Sequence, residues 1–106
     1  MITVVVRQSG DFRELTATGH ASYAPVGQDI VCSAFSMLIY TLVEYVSDYA
    51  NVYKKIIEPG NISIGFKVIK QEALIGFNVI IKGLLLLADT YPDNIVIHGN
   101  FSENIK

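Results

Sequence analysis

The amino-acid sequence predicts an α+β domain: a small mixed or antiparallel sheet with two packed helices, in the order β-β-α-β-β-α-β. Three observations lead there. Two long stretches, 29–50 and 72–90, repeat apolar residues at helical spacing. Around them lie short runs rich in β-branched residues, and in one of these Ile62, Ile64, Phe66 and Val68 alternate with Ser63, Gly65 and Lys67. With 51% hydrophobic and 17% charged residues, a 106-residue chain has enough apolar material for one core without staples, so residues 1–106 are read as one domain.

In chain order, residues 2–7 form a strand, Ser9-Gly10-Asp11 a turn, and Phe12 to Thr18 a second strand. Arg13 and Glu14 mark that second strand as a partly exposed hairpin partner. A loop from Gly19 to Gln28 follows, and its two glycines and one proline allow either a short lid or ordinary turns. Asp29 to about Ala50 is the first helix, with one apolar stripe at Ile30, Ala34, Leu38, Leu42 and Tyr45 and another at Val31, Phe35, Ile39, Val43 and Val46. So wide an apolar face predicts burial on more than one side, against the sheet and against another helix or subunit.

Val52 to Ile57 and Ile62 to Lys70 are strands joined by the turn Glu58-Pro59-Gly60-Asn61. One face of the latter strand is expected to meet the core and the other to meet water. Glu72 to Thr90 is the second helix, with Leu74, Phe77, Ile81, Leu84, Leu85 and Ala88 inward. Gly76 and Gly83, seven apart, either admit a close helix contact or are simply tolerated. Tyr91-Pro92-Asp93-Asn94 ends that helix, Ile95 to His98 is a last strand, and Gly99 to Lys106 reads as a frayed tail.

The formal net charge of −2 without a basic cluster argues against direct nucleic-acid binding. A single cysteine makes no internal disulfide, and it cannot build a zinc site of four cysteines or of paired cysteines and histidines. No cofactor or metal motif is present. The opening Met1-Ile2-Thr3-Val4-Val5-Val6-Arg7 lacks the pattern of a signal peptide. No uninterrupted apolar run approaches the ~20 residues of a bilayer span, so a cytoplasmic chain without a membrane segment is expected.

The chemistry concentrates around Cys32 and His20. With Asp29 as N-cap, Cys32 is the third helical residue, where unpaired N–H groups and the positive end of the macrodipole suit a reactive thiolate. A thiolate with a histidine in reach is the minimal apparatus for attack on a carbonyl. His98 competes for the histidine role, Asp29 is a cap before it is a catalytic acid, and a metal site from His20, Cys32 and a carboxylate has no supporting ligand spacing. Ser36 lies one turn beyond Cys32, where it either bonds near the thiol or back-bonds its own helix.

Thr18-Gly19-His20-Ala21, the glycine-containing loop, and Gly27-Gln28-Asp29-Ile30-Val31-Cys32-Ser33-Ala34-Phe35-Ser36 resemble the signature of the ribosomal-processing cysteine protease (Prp) family. Ser33 stands where members commonly have Ala. The resemblance implies a small bacterial endopeptidase, working as a homodimer, that removes an N-terminal extension from large-subunit ribosomal protein number twenty-seven. It implies Cys32 as nucleophile and His20 as general base and acid, with Gly19, Ala21, Gly27, Asp29 and Ser36 as supporting motif positions. It also implies a cut after an aromatic residue, and hence an apolar pocket near the loop. The rival reading is a non-catalytic ribosome-assembly or protein-binding module with a buried, inert cysteine. A thiol redox sensor would need a resolving cysteine from another subunit.

Overall fold

The computed structural model describes residues 1–25 and 27–99. Its strands are β1 (Ile2–Ser9), β2 (Phe12–Thr18), β3 (Ala50–Glu58), β4 (Asn61–Val68) and β5 (Ile95–Gly99), and its helices are α1 (Ile30–Val46) and α2 (Gln71–Thr90). The element order is the one expected from sequence. The strands form one sheet in the order β3-β4-β2-β1-β5. All neighbours are antiparallel except β1 and β5, which run parallel with Ile2 opposite Ile95.

Both helices pack on one face of this sheet. Ile2, Val4 and Val6 of β1, Leu15 and Ala17 of β2, and Ile64 and Phe66 of β4 meet Phe35 and Ile39 of α1 and Phe77, Ile81 and Leu84 of α2 in one buried cluster. Phe66 and Phe77 meet edge to face, with ring centroids 5.6 Å apart. The glycines of α2 admit α1 closely: a methyl group at Gly76 would run into the Tyr45 ring, and one at Gly83 would lie 3.0 Å from Leu38 Cδ2.

Several expectations are corrected. α1 ends at Val46 rather than near Ala50, because Ser47 turns both its N–H and its hydroxyl onto the Val43 carbonyl at 3.2 and 2.6 Å. The Tyr49 carbonyl then accepts the N–H groups of Ile69 and Lys70 at 3.2 and 2.9 Å, so this segment is tied to the end of β4 and enters β3 two residues earlier than expected. Those same bonds close β4 at Val68, and Lys70 becomes the N-cap of α2.

As expected, β2 is a partly exposed hairpin partner of β1; it also pairs with β4 on its other side, and Arg13 folds back onto the carbonyls of Gly10 and Phe12 at 2.7 and 2.9 Å. Ser63 and Gly65 are buried instead of meeting water. A register shift between Val52 and Lys54 accompanies the placement of Tyr53 over Gly65, where the Tyr53 hydroxyl donates to Glu14 Oε2 at 2.9 Å. Of the two apolar stripes on α1, the one from Val31 to Val46 is buried, joined by Leu42, while Ile30 and Tyr45 are exposed. On α2, Ala73 and Ile80 join the core, and Leu74, Leu85 and Ala88 are half-buried. The expected frayed tail lies outside the described residues beyond Gly99, which itself belongs to β5.

By length and apolarity α2 could cross a bilayer, a property that uninterrupted-run reasoning did not detect. Here Phe77, Ile81 and Leu84 give it the buried face of a core helix, and Ile75, Val79 and Leu86 remain exposed.

Candidate active site

Asp29 organises the site from the start of α1. Its Oδ1 accepts the N–H groups of Val31 and Cys32 at 3.0 and 2.9 Å, which satisfies two of the unpaired donors of a helix start. Its Oδ2 accepts those of Tyr23 and Ala24, at 2.9 and 3.3 Å, from the preceding loop. The Cys32 N–H bond above all holds this carboxyl below its ordinary 3.8; burial works against that bond, and the bonds from Tyr23, Ala24 and Val31 reinforce it. Both oxygens are occupied by backbone, and no hydrogen bond joins Asp29 to His20 among the described residues.

Cys32 is free and half-buried on the first turn of α1. Its N–H and that of Val31 are taken by Asp29 Oδ1, and the Ser33 N–H donates to the Asp29 carbonyl at 3.1 Å. The helix start therefore offers these donors to its own cap, which corrects the expectation that unpaired N–H groups converge at Cys32. Ser33 turns its hydroxyl onto the Asp29 carbonyl at 3.1 Å, whereas Ser36 lines a cavity beside Cys32.

His20 reaches that cavity from the loop after β2. Gly19 has φ +90° and donates its N–H to the Gly60 carbonyl in the β3–β4 turn at 3.0 Å. A methyl group there would collide with the Met1 carbonyl oxygen, so both φ and space require glycine. The exposed His20 ring lies against Gly60, close enough that a β-carbon on Gly60 would sit 2.8 Å from Nε2. The next residue, Ala21, is buried, and its carbonyl accepts Asn94 Nδ2 at 3.0 Å. Ser22 takes a left-handed φ of 57°, and Tyr23 packs edge to face on Tyr91 at 5.3 Å. Gly27, at φ +88°, completes the turn in which Gln28 N–H meets the Pro25 carbonyl at 2.9 Å.

His20, Cys32 and Ser36 thus border one cavity of about 310 Å³, whose walls include Phe35, Ile39, Ile57 and Ile62. No hydrogen bond joins the His20 ring to the thiol among the described residues. Gly19 also borders this cavity, while Ala21, Gly27 and Asp29 support the elements around it. A larger hollow of about 640 Å³ lies between Phe12, Glu14 and Tyr53, and neither His20 nor Cys32 reaches it. His98, exposed on β5 opposite Val5, borders neither. No group of three or more His, Cys, Asp or Glu side chains suited to a metal gathers among the described residues.

Sequence reasoning missed Gly60 and Asn94. Both sat in segments read only as turns, and nothing in linear spacing ties them to residues 19–21.

The family model described as cysteine protease Prp matches residues 1–96. The ribosomal processing cysteine protease Prp of Mycoplasma genitalium is 36% identical over 87 residues, covering 79% of this chain and 85% of that protein. The protein of that name from Mycoplasma pneumoniae is 29% identical over 91 residues, covering 86% and 91%. In three dimensions the chain superposes on the essential ribosomal processing protease Prp from S. aureus, solved with a covalently linked product peptide. That match has a TM-score of 0.81 at 20% identity, over 94% of this chain and 100% of that one.

Proposed function

This chain belongs to the cysteine protease Prp family, and from that premise we propose that it removes the N-terminal extension of large-subunit ribosomal protein twenty-seven, with Cys32 as nucleophile and His20 as acid–base. The observation that carries the reading is the shared cavity: a half-buried thiol on a helix start and an exposed imidazole open onto one apolar-walled space. The relatives named as ribosomal processing cysteine proteases support a substrate in the ribosome, and the S. aureus protein, solved with a covalently linked product peptide, supports a peptide substrate.

In this mechanism His20 takes the proton of the Cys32 thiol, the resulting thiolate attacks the scissile carbonyl, and the carbonyl π electrons move to oxygen. His20 gives a proton to the departing amine as the C–N bond breaks, leaving a thioester on Cys32. It then takes a proton from water, whose oxygen attacks the thioester and releases the acid product and the thiol. With the Val31 and Cys32 N–H groups held by Asp29, the Ser36 hydroxyl, one turn along α1, is the donor at hand for the transient oxyanion. Phe35, Ile39 and Ile57 supply an apolar wall for an aromatic side chain at the cut.

The same reading makes the enzyme a cytoplasmic homodimer. Exposed Met37 on α1 and Leu86 on α2, which border one hollow between the helices, support the dimer, because a contiguous exposed apolar patch marks an interaction surface. The test is cleavage of a peptide bearing the extension: Cys32→Ala and His20→Ala are expected to lower it at least ~100-fold. Wild-type cutting by both variants overturns the assignment.

A further inference from the structure

We propose that Asn94 is a positioning residue for His20, acting through the backbone of Ala21. The inference rests on the catalytic reading above. It starts from how few restraints hold the imidazole. The His20 ring is exposed and makes no side-chain hydrogen bond among the described residues, so its location depends on the backbone that carries it.

That backbone is pinned on both sides of the histidine. Before it, Gly19 N–H meets the Gly60 carbonyl at 3.0 Å. After it, the Ala21 carbonyl receives Asn94 Nδ2 at 3.0 Å, a contact spanning 73 positions of sequence. Ala21 is 1% exposed, so its carbonyl lies where water is a poor substitute, and the bond from Asn94 is the one it accepts among the described residues.

Asn94 is itself anchored. Its N–H donates to the Tyr91 carbonyl at 3.0 Å, and its own carbonyl accepts the Ile2 N–H at 2.9 Å at the start of β1. The side-chain amide therefore projects from a turn fastened to α2 on one side and β1 on the other. Tyr91 of the same turn packs on Tyr23, which steadies the loop three residues beyond His20. The turn between α2 and β5, remote in sequence from both catalytic candidates, acts as the back-stop of the loop that carries the base.

The test uses the whole protein and compares Asn94→Asp, nearly isosteric but without the donor, with Asn94→Ala. Peptide cleavage is read as kcat and KM, thermal melting reports the fold, and the imidazole signals of the two histidines are followed by NMR, with His20→Ala giving the assignment. Because misplacing a reacting group by an ångström costs about 100-fold, both variants are expected to lose roughly 10- to 100-fold in kcat with KM within about twofold. The His20 signal is expected to move while that of His98 stays. Unchanged kcat, an effect confined to KM, or both histidine signals shifting alongside a large fall in melting temperature overturns the proposal. If His20→Ala itself cuts like wild type, the catalytic reading fails instead; if it is inactive while the Asn94 variants are fully active, only the positioning role fails.

Discussion

Replacing Gly60 by Ala separates the fold from the chemistry, because a matched control exists in the same sheet. Gly60 has φ +73° and Gly10 has φ +55°, so alanine at either turn meets the left-handed strain of about 1–2 kcal/mol. Only at Gly60 does the added carbon meet anything: it would lie 2.8 Å from His20 Nε2, whereas at Gly10 nothing lies within 4 Å. Ordinary contact begins near 3.4 Å, so the imidazole must retreat by roughly 0.6 Å or the turn must give. Scaled against the ~100-fold cost of a 1 Å displacement, that is about a tenfold loss of turnover. Melting is expected to drop similarly in both variants, by about 4–8 °C per kcal/mol. Peptide cleavage at a temperature where both are folded is expected to fall about tenfold in Gly60→Ala and to stay within about twofold of wild type in Gly10→Ala. Equal activity in the two variants would refute the claim that Gly60 seats the base.

Other outcomes follow from the same geometry. Within α2, Gly83→Ala is expected to melt at or above the wild-type temperature, because its new carbon meets the movable end of Leu38 while gaining about 1 kcal/mol of helix propensity. Gly76→Ala drives a carbon into the Tyr45 ring and is expected to cost about 1–3 kcal/mol in denaturant unfolding. Asp29 titrates below 3.8 in the folded chain, so folding favours its charged form; that contribution is complete above the unfolded value and is lost as pH falls through the lower folded one. The melting gap between wild type and Asp29→Asn is therefore expected to be widest near neutrality and to narrow toward pH 2. Met37→Lys with Leu86→Lys places charge on the exposed helix faces, and sedimentation at micromolar concentration is expected to show monomer where wild type shows dimer.

Much of this architecture was legible because local signals agreed. The strand at 12–18, both long helices and the turns between strands fall where β-branched runs, apolar periodicity and Gly, Pro or Asn placed them. What failed was set by contacts distant in sequence. Nothing local says that β2 sits between β1 and β4, since Arg13 and Glu14 mark only a partly exposed hairpin partner and the pairing with β4 is a contact distant in sequence. The end of α1 was misplaced because Ser47 to Ala50 carry acceptable helix residues, and the carbonyl of Tyr49 is drawn away by Ile69 and Lys70. Cys32 and His20 were visible as chemistry, but the cavity they share is also walled by Gly60, from a turn remote in sequence from both.

Asp29 shows why a short motif can specify so much of the site. Its two carboxylate oxygens take four backbone N–H groups, two from the helix start that carries Cys32 and two from the loop that carries His20. A cap that served the helix alone would leave the Tyr23 and Ala24 N–H groups without the carboxylate that joins the loop to the helix. By accepting from Tyr23 and Ala24 as well, the carboxylate ties the two segments to one point. The arrangement has an electrostatic consequence: a negative charge stands where the helix dipole would otherwise favour an anion, so the helix start serves geometry first. On the catalytic reading proposed above, stabilisation of charge would then fall to groups bordering the cavity, the His20 imidazole for the thiolate and the Ser36 hydroxyl, one turn along the same helix, for the oxyanion.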